Sequence, residues 1–404
     1  MASPAQADRP AGALAERASE ALGAIRLQGT YRRMRLLEGA QAPRMRVDGR
    51  DVWLFAGSNY LDLAHHPEVV EAAARAARDW GCAAGGSRLI SGNLALHEAL
   101  EEELAAFLGV EAALVFATGY MANAGVIPAL VGPGDVVLSD ALNHASIVDG
   151  CRLSRAEVRV FAHGDAGALD AALRDATGGA RRGRRVLVAL DGVYSMDGDT
   201  APLAEMVPLA RARGAMVLVD DAHGTGTLGP TGRGTPELHG VGERVDVLVG
   251  TLGKALGSFG AFAAGSAALR DLLVNTARSF IFSCALAPPQ VAAARAALRL
   301  VQGEPWRRER LQRNAARLRA GLAERGVGTA PSRSHIVPVV LGGNERTMRA
   351  CGRLLERGFY AQGIRHPSVP EGRARLRLTP MATHPAEAID ALAEAVAEEL
   401  LGDR

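Results

Sequence analysis

Short apolar runs alternate with stretches of helical periodicity between about residues 65 and 290. In residues 96–108 the apolar positions 96, 100, 104, 107 and 108 share one helical face, which predicts an amphipathic helix. The apolar runs of strand length are 112–117, 136–138, 186–190, 216–219 and 245–249. They are apolar throughout instead of alternating, as in a sheet covered on both faces. We therefore predict an α/β domain with a mainly parallel central sheet.

The pattern changes around Pro288 and Pro289. An Ala- and Arg-rich helical region spans about 291–325 and is interrupted near Gly303 and Pro305. After it we predict strands at 336–341, 359–364 and 375–379 and helices at 345–357 and 386–401. The predicted division is an N-terminal segment (1–60), a large domain (61–290) and a smaller C-terminal α+β domain (291–404). Residues 1 to about 20 are expected to be frayed.

The composition excludes several classes of protein. A net charge of +2 over 404 residues gives no electrostatic reason to expect nucleic acid or an anionic membrane as partner. No stretch approaches the roughly 18 apolar residues of a membrane span, and Asp8, Arg9 and Glu16 interrupt any signal peptide. The four cysteines are scattered, without the spacing of metal ligands. We expect a cytoplasmic protein with reduced thiols and no metal site.

Lysine occurs once among the 46 basic residues, at Lys254. Arg carries the same charge but cannot deprotonate to a nucleophilic amine. A single surface Lys could survive by chance, but this one lies between glycines directly after the apolar run 245–249. That pattern predicts a buried strand followed by a tight loop, where ligands bind in α/β folds. Since a required amine is most often used in Schiff-base chemistry, we predict that Lys254 binds pyridoxal 5′-phosphate (PLP).

The four other strands of the domain also end in polar or glycine-rich segments. The segments are Thr118-Gly-Tyr-Met-Ala-Asn123, Ser139-Asp-Ala-Leu-Asn-His-Ala-Ser146, Asp191-Gly-Val-Tyr-Ser-Met-Asp-Gly-Asp199 and Asp220-Asp-Ala-His-Gly-Thr-Gly226. Parallel strands end at the same edge of a sheet, so these segments and the Lys254 loop are expected to converge on one site. Gly119 lets backbone N–H groups converge at a helix start, which suits a phosphate.

Three side chains of these segments have a role that PLP chemistry requires. Asp220 could keep the pyridine nitrogen protonated, although an Asp after a strand is often a helix N-cap, and Asp221 fits equally well from spacing alone. His223 could donate to the phenolic oxygen or be an ordinary loop histidine. His144 could stack on the pyridine ring or be a satisfied buried histidine.

Taken together, these segments resemble the α-oxoamine synthases, PLP enzymes of the aspartate-aminotransferase fold type. Further matching motifs are Gly85-Gly-Ser-Arg-Leu-Ile-Ser-Gly92, His97-Glu-Ala-Leu-Glu101, Thr251-Leu-Gly-Lys254, Ile364-Arg-His-Pro-Ser-Val-Pro370 and Arg375-Leu-Arg377. The resemblance covers nearly the whole chain from about residue 30. It implies a fold type I PLP enzyme that condenses an amino acid with an acyl thioester and releases CO2.

The resemblance also implies a role for each matched residue. Lys254 is the Schiff-base lysine and the acid and base at Cα. Asp220 pairs with the pyridinium nitrogen, His223 pairs with the phenolic oxygen, and His144 stacks on the pyridine ring. Ser195 lies at the edge of the ring, and the phosphate end is lined by Gly119, Tyr120 and Thr251. Arg377 binds the amino-acid carboxylate. Family members are homodimers with the site at the interface, so Ser87 and the Gly85–Gly86 loop are expected to serve the neighbouring subunit.

Two departures from the family pattern leave contacts open. In residues 57–63, Ser58 stands where the family has an Asn near the substrate, so either Ser58 or Asn59 could take that position. Cys284 replaces the Thr of a Ser-Thr pair that reaches the partner's phosphate, and because Cys is a poorer donor, the part played by Ser283 is open.

The motif at 364–370 is similar to that of the family members that join L-alanine to a pimeloyl thioester in biotin synthesis. Arg365, with Arg32, could supply positive charge for a substrate carboxylate, or Arg365 could pair with a nearby acid. Glycine with acetyl- or succinyl-CoA, and serine with a long acyl thioester, are the alternative substrates. The basic runs 181–185 and 306–310 could hold CoA phosphates, but we expect solvated faces at both.

Overall fold

The computed structural model describes residues 12–178, 183–329 and 331–401 of the chain. Its helices there are α1 (Ala13–Leu27), α2 (Pro67–Trp80), α3 (Ala95–Leu108), α4 (Gly119–Leu130), α5 (Ala145–Ser154), α6 (Ala166–Thr177), α7 (Leu203–Ala212), α8 (Thr235–Leu238), α9 (Ala267–Thr276), α10 (Arg278–Ile281), α11 (Pro288–Gly303), α12 (Pro305–Glu324), α13 (Asn344–Glu356) and α14 (Ala386–Leu401). The strands are β1 (Leu37–Glu38), β2 (Arg44–Val47), β3 (Arg50–Leu54), β4 (Ala112–Phe116), β5 (Val136–Asp140), β6 (Glu157–Phe161), β7 (Val186–Asp191), β8 (Met216–Asp220), β9 (Val247–Thr251), β10 (Ala261–Gly265), β11 (Val337–Gly342), β12 (Phe359–Tyr360), β13 (Gln362–Ile364) and β14 (Ala374–Leu378). None of these helices is both long and apolar enough to cross a bilayer.

A seven-stranded sheet in the order β4-β10-β9-β8-β7-β5-β6 forms the centre of the molecule. Strands β5 to β9 pair in parallel, whereas β10 runs antiparallel to both β4 and β9. The pairing sets Asp191 at the end of β7 opposite Asp220 at the end of β8. The prediction of an α/β fold with a mainly parallel sheet is confirmed, and the carboxyl ends of the strands share one edge.

Apolar side chains cover both faces of this sheet. Alternate residues of β5 belong to different buried clusters: Val136 and Leu138 pack on one side and Val137 on the other. The same division holds for β8, where Val217 and Val219 pack opposite Leu218. Because each face packs against helices, a strand buried on both sides has no polar face, which explains the continuous apolar runs in the sequence.

Two smaller sheets involve the two ends of the chain. Strands β11, β14 and β13 form one, and β1, β2, β3 and β12 form the other. The single strand predicted at 359–364 is therefore wrong: it is interrupted at Ala361, and its two halves pair with β3 and with β14. The N-terminal strands thus share a sheet with β12 of the C-terminal part, and the domain boundaries at residues 60 and 290 stay a prediction.

Two other expectations from the sequence need correction. Residues 13–20 are helical and belong to α1, because they are rich in the helix formers Ala, Leu, Glu and Arg; residues 1–11 lie outside the described residues. In the basic run 306–310, Arg307 and Arg308 are buried, not solvated, and donate to the carbonyls of Leu61 (3.0 Å) and Pro230 (2.9 Å). Arg181 and Arg182 of the other basic run lie outside the described residues.

The loop after β7 joins the central sheet to the sheet of β14. The fully buried Arg375 of β14 donates to the carboxylate of Asp197 and to the carbonyl of Met196. Ser334 donates from its hydroxyl to the carbonyl of Gly198 at 2.7 Å. Gly198 has a φ of 72°, and a Cβ there would lie 2.0 Å from the Ile336 carbonyl oxygen, so only glycine permits this close approach. These contacts hold β14 against the edge where the strands end.

A partly buried ion cluster fixes the loops after β5, β6 and β7. Nδ1 of His163 lies 2.9 Å from Asp140 Oδ1, and Nε2 lies 2.8 Å from Asp199 Oδ2. Burial opposes a charged imidazole, but hydrogen bonds and charges from the two carboxylates raise the pKa of His163 to about 10. His163 also packs edge-on against Tyr194, with ring centroids 4.3 Å apart. The cluster ties three strand ends to one another.

We predict that His163→Gln destabilises the protein in a pH-dependent way. The folded pKa of about 10 lies above the ordinary value of 6.5, so the stabilisation is complete below pH 6.5 and is lost as the pH rises towards 10. Near pH 6 the loss of two charge-assisted hydrogen bonds should lower the unfolding free energy by about 3 kcal/mol.

Urea unfolding of both proteins across pH 5–10 measures this difference. It should be largest at the acidic end and shrink above pH 6.5, while the exposed His65→Gln serves as control. A difference that stays constant to pH 10 would show that the charge of His163 does not stabilise the fold.

Candidate active site

The predicted residues of the central sheet meet at the carboxyl edge of its strands. Asp220 ends β8 and Thr251 ends β9, while His144, Ser195 and His223 follow β5, β7 and β8. Lys254 follows β9 in a turn in which the Gly257 N–H donates to the Lys254 carbonyl at 3.0 Å. The structure thus brings the side chains predicted from five separate loops to one edge.

The amine of Lys254 lies at the centre of this edge, 2.9 Å from His223 Nε2. Burial lowers the pKa of Lys254, and the nearby Arg377 lowers it further, whereas Tyr60, Asp220 and Asp191 oppose the shift. A lowered pKa increases the fraction of neutral amine, which is the nucleophilic form. His223 is buried, and burial together with the charge of Lys254 holds its pKa well below the ordinary value.

Lys254, His223, Asp220 and His144 form what we call the Lys254 group. Arg377 reaches this group from β14, in the sheet of β11, β14 and β13. Its Nε donates to the Ser195 carbonyl at 2.6 Å, and its Nη2 donates to the Tyr60 hydroxyl at 3.2 Å. These contacts orient the guanidinium beside Lys254 while Nη1 has no hydrogen bond to the described residues. A planar guanidinium fixed in this way suits a carboxylate ligand.

Asp220 and Asp221 have different surroundings, although the sequence did not separate them. Asp220 accepts from Asn123 Nδ2 at 2.6 Å and, as a local cap, from the Ala222 N–H at 3.0 Å. Asp221 is fully buried among hydroxyls, accepting from Thr235 Oγ1 at 2.6 Å and Thr225 Oγ1 at 3.1 Å. Only Asp220 is therefore available to a ligand at the edge of the sheet.

His144 begins α5 beside Asp220 and is held from two sides. The backbone N–H of His144 donates to Asp191 Oδ2 at 2.6 Å, and the imidazole Nδ1 lies 2.8 Å from Ser146 Oγ. Burial lowers the pKa of His144, and Lys254 adds to this, while Asp220 opposes it. Asp191 is itself buried, and its burial next to Asp220 raises its pKa well above the ordinary value. A neutral, fixed imidazole is suited to stacking on a ring.

The helix start at Gly119 lies at the end of β4. Thr118 caps α4 by accepting from the Met121 N–H at 3.1 Å, so the N–H groups of Gly119 and Tyr120 have no partner within the helix. No heavy atom lies within 4 Å of a Cβ placed on Gly119, so the space in front of the helix is open. The Tyr120 hydroxyl donates to Asp149 at 2.6 Å, and Thr251 donates to the Gly260 carbonyl at 3.0 Å.

These residues fit the chemical groups of PLP. An amine of lowered pKa suits the aldehyde, the carboxylate of Asp220 suits a protonated ring nitrogen, and an open helix start suits the phosphate. The buried Oδ1 of Asn123 has no hydrogen-bond partner among the described residues. This edge of the site, beside Asp220, therefore has a hydrogen-bond acceptor that a ligand could use.

The remaining predicted residues form two other groups. Arg365 donates from Nη2 to the Tyr31 carbonyl, and Arg32 donates from Nη2 to Ser368 Oγ at 3.5 Å. Burial and the neighbouring Arg32 lower the pKa of Arg365. Among the described residues no acid pairs with Arg365, so this part of the chain gives no support to the alternative in which an acid neutralises it, and that alternative stays open. Within the same residues neither arginine has a hydrogen bond to Lys254, His223, Asp220 or Arg377.

Ser87 and Ser283 lie on two adjoining segments at the surface. The Ser87 carbonyl accepts the N–H groups of three residues that follow it, and the Ala285 N–H donates to the Gly86 carbonyl at 2.9 Å. Ser283 makes only a long contact, 3.5 Å, with the Cys284 carbonyl. Within one chain neither serine contacts the Lys254 group.

The structure assigns different surroundings to Ser58 and Asn59. Asn59 is buried, and its Oδ1 accepts hydrogen bonds from the backbone N–H groups of Leu63 and Ala64 at 3.0 and 3.1 Å. This oxygen is therefore already occupied by backbone donors. Ser58 lies 3.4 Å from the Tyr60 hydroxyl. Ser58, and not Asn59, therefore faces the site.

Four further residues, which were not predicted from the sequence, shape the site: Tyr60, Asn123, Asp191 and His335. The first three lie inside motifs that were recognised, but no single sequence shows that Tyr60 bonds to His223 or that Asn123 bonds to Asp220. His335 precedes β11 and packs on Tyr60, with ring centroids 4.0 Å apart. A histidine before an apolar strand gives no signal of this contact.

The chain is similar to known proteins in both sequence and fold. Residues 50–396 match the family model described as aminotransferase class I and II. The 8-amino-7-oxononanoate synthase of Geobacter metallireducens is 54% identical over 382 residues, which cover 94% of this chain and 96% of that protein.

Two solved structures show the same fold. A serine palmitoyltransferase from S. paucimobilis, with a PLP–myriocin aldimine bound, has a TM-score of 0.87 at 35% identity and covers 97% of this chain and 98% of its own. An 8-amino-7-oxononanoate synthase from Francisella tularensis has a TM-score of 0.74 at 25% identity and covers 87% of this chain and 98% of its own. This chain therefore belongs to the aminotransferase class I and II family, as a fold type I member of its α-oxoamine synthase branch.

Proposed function

We propose that this protein catalyses the reaction for which its relatives are named. L-Alanine and a pimeloyl thioester would condense in a PLP-dependent reaction to 8-amino-7-oxononanoate, with release of CO2 and the free thiol, in biotin biosynthesis. The observation that carries the proposal is 54% identity to an 8-amino-7-oxononanoate synthase over 94% of the chain. The convergence of Lys254, His223, Asp220, His144 and Arg377 supports it.

The side chains of the site divide the work of the reaction. When bound, PLP supplies an electron sink that stabilises negative charge at the α-carbon of the amino acid. Lys254 would hold the cofactor and then, as a neutral amine, take the α-proton and later return it. Asp220 would keep the ring nitrogen protonated, and Arg377 would fix the α-carboxylate.

Arg365 and Arg32 would serve the acyl substrate. They lie on segments separate from the Lys254 group, and Arg365 is partly buried without an acidic partner among the described residues. An uncompensated guanidinium at such a place suits a carboxylate. A pimeloyl chain carries a carboxylate at the end remote from its thioester, so Arg365 would hold that group while the thioester reaches the α-carbon.

A second candidate is the condensation of L-serine with a long acyl thioester. It is favoured by the higher TM-score with the serine palmitoyltransferase, 0.87 against 0.74. We rank it second because sequence identity to that enzyme is lower, 35% against 54%. Product analysis with alanine, serine and glycine, each offered with pimeloyl, palmitoyl, acetyl and succinyl thioesters, decides between them. Preference for glycine or serine would overturn the substrate proposal.

We further propose a cytoplasmic homodimer. The four cysteines are unpaired in the structure, which supports a reducing compartment. Leu89, Ile90 and Phe282 are exposed apolar side chains on the two adjoining segments that carry Ser87 and Ser283. An apolar surface of this kind suits an isologous interface, where each segment would approach the partner's site.

The first test of the proposal is Lys254→Ala. The variant should lose the yellow colour of the PLP-loaded protein and all activity, because the chain has no other lysine to replace this amine. Borohydride reduction followed by peptide mass spectrometry measures the covalent link. The conservative Lys254→Arg keeps the charge and should fail equally. A Lys254→Ala protein that still forms a reducible link to PLP would refute the assignment.

The second test is Arg365→Ala. Loss of a charge-assisted contact should cost about 1.5–3 kcal/mol, or roughly 10- to 150-fold in kcat/KM for pimeloyl-CoA. Heptanoyl-CoA has the same chain length without the terminal carboxylate and serves as matched control. If Arg365 holds that carboxylate, kcat/KM for heptanoyl-CoA should change little. Equal losses with both thioesters would show that Arg365 acts elsewhere.

The third test concerns the dimer. Ile90→Asp places a charge on a side chain that is 84% exposed in the single chain. It should convert the dimer to a monomer that retains PLP poorly, since Ser283 would no longer reach the partner's phosphate. Light scattering after gel filtration measures the mass. Val160→Asp, at an apolar residue 67% exposed on the edge strand β6, is the control and should remain dimeric. A fully active monomer of the unmodified protein would contradict the proposal.

A further inference from the structure

The side chain of Asn123 lies between the two side chains proposed for the pyridine ring of PLP, Asp220 and His144. Asn123 belongs to α4 and is completely buried. Its Nδ2 donates to Asp220 Oδ2 at 2.6 Å and to Ser146 Oγ at 2.9 Å. Ser146 Oγ lies 2.8 Å from His144 Nδ1. One amide therefore connects the carboxylate at the end of β8 to the imidazole at the start of α5.

The chemistry of the donors fixes the direction of each of these hydrogen bonds. The ionised carboxylate of Asp220 can only accept, so the amide turns its NH2 group towards it and uses the second N–H for Ser146. Since the Ser146 oxygen accepts from Asn123, its own proton is directed to His144 Nδ1. The Ser146 backbone N–H also donates to Nδ1, at 3.2 Å. A nitrogen that accepts two donors carries no proton, so the ring of His144 is neutral with its hydrogen on Nε2.

These hydrogen bonds are compatible with a bound cofactor, because none of them uses Lys254 or His223. Within the described residues each Asp220 oxygen accepts one hydrogen bond, Oδ2 from Asn123 and Oδ1 from the Ala222 N–H. A carboxylate oxygen can accept about two hydrogen bonds. Both oxygens therefore keep a place for the N–H of a pyridinium.

Without this network two bases would compete for the Asp220 carboxylate. They are the pyridine nitrogen of PLP and the imidazole of His144, because each is favoured in its charged form beside a negative charge. Burial lowers the pKa of His144 and the charge of a free Lys254 adds to this, whereas Asp220 raises it. A second proton on the imidazole would have to go to Nδ1, where both donors of Ser146 point. Charging His144 therefore means breaking two hydrogen bonds.

We propose that Asn123 is a positioning residue that reserves the Asp220 carboxylate for the ring nitrogen of PLP by holding the competing base, His144, in its neutral form. The inference rests on the proposed function in one respect, the roles given to Asp220 and His144. A proton on the pyridine nitrogen makes the ring an electron sink. If that proton went to His144, the ion pair with Asp220 would form within the protein and the ring would lose this property.

The oxygen of the Asn123 side chain supports this role. Oδ1 is buried and has no hydrogen-bond partner among the described residues. Leaving a buried acceptor unpaired is unfavourable, and an apolar side chain of the same size would avoid it. Asn123 therefore contributes to the site through its two N–H donors and not through packing alone.

The other titratable groups near this network are Asp191, Asp221, Lys254 and His223. Asp191 accepts the backbone N–H of His144 at 2.6 Å, and burial together with the charge of Asp220 raises its pKa. Within the described residues none of the four has a hydrogen bond to the side chain of Asn123 or Ser146. A change at Asn123 therefore acts first on Asp220 and His144.

The protonation of the ring nitrogen can be observed directly. The full-length chain is loaded with PLP that carries nitrogen-15 in its ring, and solid-state NMR measures the chemical shift of that nitrogen at a series of pH values. The chemical shift differs widely between a pyridine and a pyridinium. The midpoint of the profile therefore gives the proton affinity of the ring nitrogen, whether or not the protein is catalytically active.

The variant Asn123→Leu keeps the approximate size of the side chain and removes both donors. Its midpoint should lie about one pH unit below that of the unmodified protein, which is a tenfold loss of proton affinity. Asn314→Leu is the matched control, because Asn314 is also buried but donates to the backbone carbonyls of Met381, Ala382 and His384. The midpoint of this control should not move.

A second substitution separates the proposed competition from a general disturbance of the site. His144→Phe keeps an aromatic ring at this position but cannot take a proton. In this background Asn123→Leu should lower the midpoint by less than half as much, because the competing base is absent. If Asn123→Leu does not fold, Ser146→Ala removes the hydroxyl that donates to His144. It should lower the midpoint by about half a pH unit, roughly threefold in proton affinity, and only when His144 is present.

An unchanged midpoint in Asn123→Leu, or in Ser146→Ala where it takes its place, would overturn the inference. An equal fall with and without His144 would overturn it too, since Asn123 would then act on Asp220 alone. A ring nitrogen that is unprotonated at every pH in the unmodified protein would refute the role given to Asp220 and the inference with it. The proposed condensation is tested separately, by the product analysis.

Discussion

The register of the parallel strand β8 is the constraint on which the site depends. Its last residue, Asp220, lies opposite Asp191 of β7 and Val249 of β9, at the edge where the loops converge. Successive side chains of an extended strand point to opposite faces, so a slip by one residue would turn every side chain of β8 to the other face of the sheet. Asp220 would then lose its place beside Asn123, and the apolar side chains of β8 would leave the clusters that they now join.

The position of Asp221 shows how firmly this register is fixed. Burial raises its pKa to about 7, although the hydroxyl and N–H of Thr235 and the hydroxyl of Thr225 stabilise the charged form. A Cβ on Gly224 or Gly234 would lie 2.2 or 1.6 Å from an oxygen of this carboxylate. Gly224 in the motif after β8 and Gly234 before α8 therefore make room for the Asp221 carboxylate, and larger residues at either position would displace it.

The sequence predicted the fold, and it selected candidate side chains that the structure places at one edge of the sheet, because both have local signals. Continuous apolar runs indicate a sheet buried on both faces, and a single lysine after such a run indicates a required amine. It could not predict the contacts between β14 and the large sheet, since the partners of Arg377 at Tyr60 and Ser195 are 317 and 182 residues away in the chain. For the same reason Tyr60 and His335 gave no signal, although Tyr60 lies in a recognised motif and His335 lies directly before a predicted strand.

The electrostatic balance at Lys254 explains why these distant contacts matter. Burial and Arg377 favour the neutral amine, and Asp220 and Asp191 favour the charged one. His223 and His144, the two histidines near this amine, have pKa values lowered by burial, so they add no positive charge beside it. The amine is thus held between two opposing influences: the strand ends supply the negative charges, and β14 supplies the positive charge of Arg377. The pKa of Lys254 therefore depends on the packing of β14 against the strand ends, which is held by contacts between residues far apart in the chain.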